Sequence, residues 1–279
     1  MLKKLYKIAP TATRWVLLFA SDNVKYISRV RLYCAGMERG IMMENIETLK
    51  EWINESNRIV FFGGAGVSTE SGIPDFRSVD GLYNQKFEFP PETIISHSFY
   101  KRDPSYFFRF YREKMMPLGF EPNITHTKLA QWEEAGKMLG IVTQNIDGLH
   151  QKAGSQRVYE LHGSILRNYC EKCGKFHSAE FVKEHPDVPH CECGGIVKPD
   201  VVLYEESLDG YTIERAVSAI QNADLLIVAG TSLTVYPAAG LINYYHGNKM
   251  VLINRDMTPY DSRADLVFHQ SLGSIFSQL

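Results

Sequence analysis

Long apolar runs are missing from this 279-residue chain. Stretches such as Trp15–Ala20 fall far short of the roughly 20 residues that span a bilayer, so no membrane-spanning helix is expected. Cysteine is scarce: there are five, and four lie within 24 residues of one another. A secreted disulfide scaffold would spread an even set through a shorter chain, so the clustering points to a metal in a reducing compartment. A dominant charge is missing too, with 30 Lys/Arg against 32 Asp/Glu. The hydrophobic fraction of 44% and charged fraction of 22% exclude collagen-like, low-complexity and disordered readings of the whole. What remains is a globular chain long enough for one large domain or two modest ones.

The balanced charge hides an asymmetry. Residues 1–41 hold eight Lys/Arg and two Asp/Glu, which leaves 22 basic and 30 acidic residues in the rest. Phosphate neutralisation needs excess positive charge, so no direct nucleic-acid binding is expected of the body. The basic leader has no clear helical or strand period and ends at Met42-Met43. It is read as a disordered tail, or as a segment upstream of a true start at Met42 or Met43. Its basic bias also fits an organellar transit peptide.

Beyond the leader, short apolar segments alternate with helical ones. Strands are expected at Ile59–Phe62, Leu139–Thr143, Asp224–Ala229, Met250–Asn254 and Ala264–Phe268. Helices are expected at 44–57, from 68–72 onward, 125–136, 211–221 and 237–246. In the first of these, Ile46, Leu49 and Ile53 fall on one stripe. This alternation implies an α/β fold with a Rossmann-like parallel sheet, whose ligands sit at the carboxyl ends of its strands. Two stretches interrupt it: an aromatic-rich one at 80–124 and the cysteine-bearing one at 166–200. Both are too long for connections. They read as a smaller inserted zinc-binding and helical module. The sheet domain is then about 42–80, 125–165 and 201–279, and the module about 81–124 and 166–200.

Polar motifs follow the expected strands. Gly63-Gly64-Ala65-Gly66 is a glycine turn suited to a pyrophosphate. It departs from the dehydrogenase fingerprint: Thr69 stands where a third glycine would be, and Lys86 near the place of a ribose-binding acid. Hydride transfer is therefore disfavoured. Pro74-Asp75-Phe76-Arg77 puts an acid, a ring and a guanidinium beside that turn, although a plain capping loop would look the same. Gln144-Asn145-Ile146-Asp147 suits a ribose or a carboxamide, or simply an Asx turn. His162, followed by Gly163, is a candidate general base near neutral pH. Gly230-Thr231-Ser232 and Asn254 are small polar groups at further strand ends. Cys170-x2-Cys173 and Cys191-x-Cys193 offer four thiolates to one structural Zn2+, with Lys172, Lys175 and Lys198 near to offset its charge. The single residue between the second pair is fewer than zinc ribbons usually have. Cys34 has no assignment.

Taken in this order, the motifs resemble the sirtuin family of NAD-dependent protein lysine deacylases, of the bacterial type, across about 44–276. The resemblance implies an enzyme that consumes NAD as co-substrate. It would transfer the acyl group to ADP-ribose and release nicotinamide. His162 and Asn145 would be the catalytic residues, His162 as the base on the ribose hydroxyl. Gly64, Ala65, Gly66 and Thr69 would line the phosphate and ribose turn. Asp75 would belong to the cofactor loop, with Phe76 covering the reacting carbon and Arg77 holding the loop and phosphates. Gln144 and Asn145 would bind the nicotinamide ribose, and Ile146 and Asp147 the carboxamide. Gly230, Thr231, Ser232 and Asn254 would hold the adenosine half. An acylated-lysine protein or peptide would add as a strand beside Val202, Tyr204 and Val235.

Two departures from the family concern the substrate. Tyr204-Glu205-Glu206 carries glutamate where the commoner Phe-Gly-Glu has glycine, and Glu205 is expected to face solvent. The acyl-pocket arginine of desuccinylases is replaced by Lys114 in Tyr111-x-x-Lys114, so an uncharged acyl group is expected. A monomer in the cytoplasm is expected. Rival readings are an NAD-dependent protein ADP-ribosyltransferase in the same pocket and a non-catalytic NAD-sensing module.

Overall fold

The computed structural model describes residues 42–76, 81–82 and 85–279. The expectations for residues 1–41 and for Arg77 lie outside the described residues. The strands are β1 Ile59–Gly63, β2 Met138–Thr143, β3 Val158–Glu160, β4 Gly163–Cys170, β5 Phe176–His177, β6 Val197–Val201, β7 Leu225–Ala229, β8 Met250–Ile253 and β9 Leu266–Phe268. The helices are α1 42–55, then α2 Pro91–Ile94, α3 His97–Arg102, α4 Pro104–Phe110, α5 Ile124–Glu134, α6 Leu149–Lys152, α7 Ala179–Glu184, α8 Gly210–Gln221 and α9 Leu272–Phe276.

Six strands pair in the order β3-β2-β1-β7-β8-β9, all parallel. The period of two along each strand divides its side chains between two layers. Val60, Phe62, Val142, Leu226, Val228 and Leu252 pack with Ala216 and Ile220 of α8 on one face. Ile59, Phe61, Ile141, Leu225, Ile227, Val251 and Ile253 pack on the other, against Ile46, Leu49 and Ile53 of α1, Leu129 of α5 and Phe276 of α9. Each such side chain, fully buried, contributes roughly 1.5–3 kcal/mol. Continuous apolar strands are what a sheet covered on both faces requires. Lys137 locks α1 onto this layer: its ammonium donates to the carbonyls of Ile53 (2.9 Å), Asn54 (2.9 Å) and Ser56 (3.3 Å) at the helix end.

A second sheet, β5-β4-β6, is antiparallel and carries the cysteines. Short helices α2 to α4 pack on it through an aromatic core that includes Phe99, Tyr100, Phe107, Phe108 and Tyr111. Edge-to-face pairs such as Tyr100–Phe107 (centroids 5.0 Å) and the stacked Phe107–Tyr111 pair (5.7 Å) organise it. Ser96 and Asp103 cap α3 and α4 by accepting from the amides of Phe99 and Tyr106.

Two helical expectations need correction. The helix expected from Ser68 is replaced by two single 3-10 turns, Ala65–Val67 and Thr69–Ser71. Gly72 at φ 91° ends the second turn, and Pro74 follows it. The run expected at 237–246 is a 3-10 segment, Ala238–Tyr244. Strand β3, only three residues long, falls below what apolar patterning can reveal.

Two histidines are buried together, one of them, His150, edge-on to Phe61 of β1. His126 and His150 are 0% and 1% exposed, with ring centroids 4.8 Å apart. His126 Nδ1 accepts from the Asn123 amide (3.2 Å), and neither nitrogen of His150 has a hydrogen-bond partner. Burial lowers His126 to about 4, and burial plus its neighbour lowers His150 to about 3. Both folded values lie below the unfolded value of about 6.5, so stability is complete above that pH and lost as pH falls. Between pH 7.5 and 5 each histidine should cost on the order of 2 kcal/mol, read as a falling urea midpoint, and His150→Met should halve the slope. A flat midpoint would show that the pair does not stay neutral.

Candidate functional site

The chain runs outward from β1 to β2 and β3, then returns past β1 to β7, so β1 and β7 are neighbours at a topological switch point. Ligands bind outside the carboxyl ends of the strands at such points. The ends are level here. Gly63 pairs with both Thr143 and Ala229, Thr143 with Glu160, and Ala229 with Ile253. Every polar motif expected to bind the dinucleotide, Arg77 apart, follows β1, β2, β3, β7 or β8 at this edge.

Backbone forms the floor between β1 and β7. The Gly66 amide donates to the Gly230 carbonyl at 2.8 Å. A Cβ on Gly66 would lie 2.8 Å from Gly230 Cα, and one on Gly64 would lie 2.8 Å from Thr231 Cβ. Gly230 adopts φ +60°, and a Cβ there would lie 2.5 Å from the Val67 nitrogen. Side chains are excluded on both sides. Thr69 Oγ1 donates to the Gly66 carbonyl (3.0 Å), which pins the turn. Ala65 is half-buried on the same loop.

The ends of β2 and β7 are tied by a donation from Gln144 Nε2 to Thr231 Oγ1 (3.0 Å). Asn145 is buried, its Nδ2 donating to Ser68 Oγ (3.1 Å), and Ser68 donates on to Asp147 Oδ2 (2.6 Å). Burial pushes the Asp147 carboxyl up, while Ser68 and the Leu149 amide pull it part of the way back. Ser68 is a residue of the site whose role no motif in the sequence marks. A hydroxyl four residues after a glycine carries no signal until the β2 loop folds over it. Ile146 packs on the aromatic core, and so does the half-buried Phe76. The Asp75 carbonyl accepts from the Leu82 amide (2.9 Å). On the far rim, the Ser232 and Thr234 hydroxyls pair at 2.8 Å, and Asn254 Nδ2 donates to the Asp256 carbonyl at 2.9 Å.

His162 sits where the chain leaves one sheet for the other, between β3 and β4. Its Nδ1 lies 2.9 Å from the Gln144 carbonyl. A carbonyl only accepts, so Nδ1 carries the proton and Nε2 keeps a lone pair. Burial lowers the imidazole pKa, and the Gln144 carbonyl recovers part of that shift. The ring is a neutral base at pH 7. Gly163, at φ +74°, makes the crossing possible: a Cβ would fall 1.9 Å from the Asp200 carbonyl. Arg167 clasps the crossing, donating to Glu160 (2.6 Å) and Asp200 (2.8 Å). The His162 carbonyl accepts from the Val202 amide (3.0 Å), so the segment after β6 is fixed to the same point. Tyr204 pairs in parallel with Ser96, and the Val235 carbonyl accepts from the Ala239 amide (2.9 Å).

The four cysteines converge. Their Sγ atoms lie within 4.8 Å of one another, with Cys170–Cys193 at 3.4 Å and Cys173–Cys191 at 3.8 Å. A tetrahedron of Zn–S bonds near 2.3 Å has sulfur–sulfur edges of about 3.8 Å, so the set fits zinc with no position left for water. The short Cys191-x-Cys193 spacing works because glycines follow it. Gly194 turns at φ +80° and donates to the Cys191 carbonyl (2.8 Å), and a Cβ on Gly195 would lie 2.6 Å from Cys170 Sγ. Of the three lysines expected to offset the charge, Lys172 donates to the Cys193 carbonyl (3.0 Å), and Lys175 pairs with Glu192 while its charge still acts on Cys173 and Cys191. Lys198 turns away to Glu206.

The Sir2 family pattern matches residues 64–237. The chain belongs to the Sir2 family. The NAD-dependent protein deacetylase of Clostridium acetobutylicum is 59% identical over 239 residues, covering 84% of this chain and 98% of that protein. The protein of the same name from Staphylococcus aureus strain Mu50 is 46% identical over 241 residues, covering 85% and 99%. A solved Sir2 with a p53 peptide and NAD+ is 38% identical, with a TM-score of 0.75 over 84% of this chain and 96% of that one. A Sir2 bound to acetylated peptide is 35% identical with a TM-score of 0.74, covering 84% and 96%. This Sir2-family chain therefore shares both the parallel sheet and the cysteine-bearing sheet with solved relatives. Because structural zinc contributes folding energy directly, stripping it with a chelator should unfold the small sheet and lower the melting temperature. An unchanged melt after verified metal removal would refute that role.

Proposed function

We propose that the chain is an NAD-dependent protein lysine deacetylase. It transfers the acyl group of an acylated lysine to ADP-ribose and releases nicotinamide and free lysine. One observation carries the reading: His162 Nε2 is an unprotonated base at the carboxyl edge of the sheet, oriented by the Gln144 carbonyl. The acyl oxygen displaces nicotinamide from C1′ of the ribose. His162 takes the proton of the ribose hydroxyl that then attacks the acyl carbon, and loss of the lysine amine with addition of water leaves O-acyl-ADP-ribose. Gln144 and Asn145 hold the nicotinamide ribose. Ser68 keeps Asn145 in place through its bond to Asp147. Asp147 and Ile146 receive the carboxamide, and Phe76 covers the reacting carbon. The backbone turn of Gly64, Ala65 and Gly66, with Thr69, takes the phosphate and ribose, and Gly230, Thr231, Ser232 and Asn254 hold the adenosine half. Asp75 supports the loop that closes this side. The four cysteines, if metallated, hold Zn2+ in a closed thiolate set that shapes the fold and leaves the reaction to His162. The substrate peptide lies along Val202 and Tyr204, with Val235 opposite. The protein works in the cytoplasm as a monomer.

An uncharged acyl group suits the pocket. Lys114, at the place of the desuccinylase arginine, pairs with Glu113 (3.2 Å) and lies 5.7 Å from the Phe87 ring centre. Tyr111 Oη is buried without a hydrogen-bond partner. The two do not form a fork for a carboxylate.

Incubation with NAD and an acetyl-lysine peptide should release nicotinamide, with O-acetyl-ADP-ribose as co-product by mass spectrometry. ADP-ribosylated protein would indicate transferase activity instead, and binding without nicotinamide release would indicate a sensor. His162→Ala should keep NAD affinity near that of the parent and lose turnover by about a hundredfold or more. Undiminished turnover would remove the base from its role. Acetyl-peptide should also outpace succinyl-peptide at equal concentration, and the reverse order would refute the pocket assignment.

A further inference from the structure

We propose that Glu205 makes this enzyme prefer substrates with lysine or arginine beside the acylated lysine. The inference rests on the deacetylase reading and on the peptide strand that it assigns to 202–204. Glu205 sits at φ 75°, a left-handed conformation that favours glycine, in the position where the family's commoner motif has glycine. It is exposed, as expected, but it does not swing freely in solvent. One carboxylate oxygen accepts from the Ser98 amide (2.9 Å) and the other from the Ser98 hydroxyl (2.8 Å). Both donors are neutral, and no lysine or arginine among the described residues pairs with Glu205. The basic group that acts on it is His97, which hydrogen-bonds Glu206 instead, so the Glu205 charge is fixed in place without a cation of its own.

The neighbouring carboxylate makes the contrast. Glu206 accepts from His97 Nδ1 (2.8 Å), Lys198 Nζ (3.2 Å) and the Leu203 amide (2.9 Å). It is turned inward and neutralised. The backbone fixes where the remaining charge stands. Tyr204 exchanges bonds with the α2–α3 corner, donating to the Ile95 carbonyl (3.0 Å) and accepting from the His97 amide (3.0 Å). Three residues before Glu205, the Val202 amide bonds to His162 (3.0 Å). On the deacetylase reading, this carboxylate stands in the turn just past the segment that receives the peptide, at a set distance along the chain from the base. The Ser98 donors hold the Glu205 carboxyl below the usual carboxylate range, so the charge persists into mildly acidic solution. The long-range field has the same sign, with 22 basic against 30 acidic residues beyond residue 41.

The test uses acetyl-lysine peptides that differ only in the two flanking residues, which are lysine, glutamine or glutamate. At low salt kcat/KM should favour lysine over glutamate flanks by about three- to tenfold, and high salt should shrink that ratio. Glu205→Gln keeps an acceptor for Ser98 and removes the charge, and should bring the ratio near one. The ratio is taken within each variant, so a general loss of rate cancels. Peptide affinity by fluorescence anisotropy reads the same preference without turnover. Silence toward the glutamine-flanked peptide would count against the deacetylase reading, while the affinity ratio would still decide the role of Glu205. A parent enzyme indifferent to flanking charge, or a ratio unchanged in Glu205→Gln, would overturn the proposal.

Discussion

The contact on which the site depends is between two stretches of bare backbone. Gly66 and Gly230 meet at the carboxyl ends of β1 and β7, closer than any side chain would allow. That contact ties the ends of the two strands together at the switch point and leaves a floor of backbone without side chains. It also explains why no α-helix follows β1. The turn is held down by Gly230 and by the Thr69 hydroxyl, and the chain continues as single 3-10 turns. A pyrophosphate therefore meets backbone and small polar groups rather than the start of a long helix.

The base is made by a crossing between sheets. β4 begins at Gly163, next to His162, and ends at Cys170. Eight residues of strand span roughly 23 Å, so the cysteine cluster sits at the far end of the element that starts beside the base. Arg167 clasps the near end through Glu160 and Asp200. The aromatic core behind this sheet also receives Phe76 and Ile146 from the sheet edge. Packing of the small module and shaping of the reaction pocket are thus one problem, solved by one set of rings.

Much of this was legible from residue order. The strands at 59, 138, 225 and 250 are continuous apolar runs because both faces of the sheet are covered, and that pattern survives without any knowledge of pairing. The cysteine pairs announced a metal site, yet their spacing looked wrong until Gly194 and Gly195 showed how the turn closes. Ser68 was hidden because its meaning depends on Asp147, 79 positions away in the chain. No α-helix forms from Ser68, because Gly230 pressing on Gly66 overrides the local propensity there.

By itself the sequence determined which residue types arrive at the strand ends, since alternation of apolar strand and polar loop is written locally. It also determined the thiolate set and the imidazole, because those chemistries have few substitutes. The tertiary structure decided which nitrogen of His162 is free, through a carbonyl 18 residues distant. It decided that Glu206 is neutralised and Glu205 is not, through partners on α3 and β6. Protonation, tautomer and net charge at a point are set by neighbours in space, and a linear order of residues does not contain them.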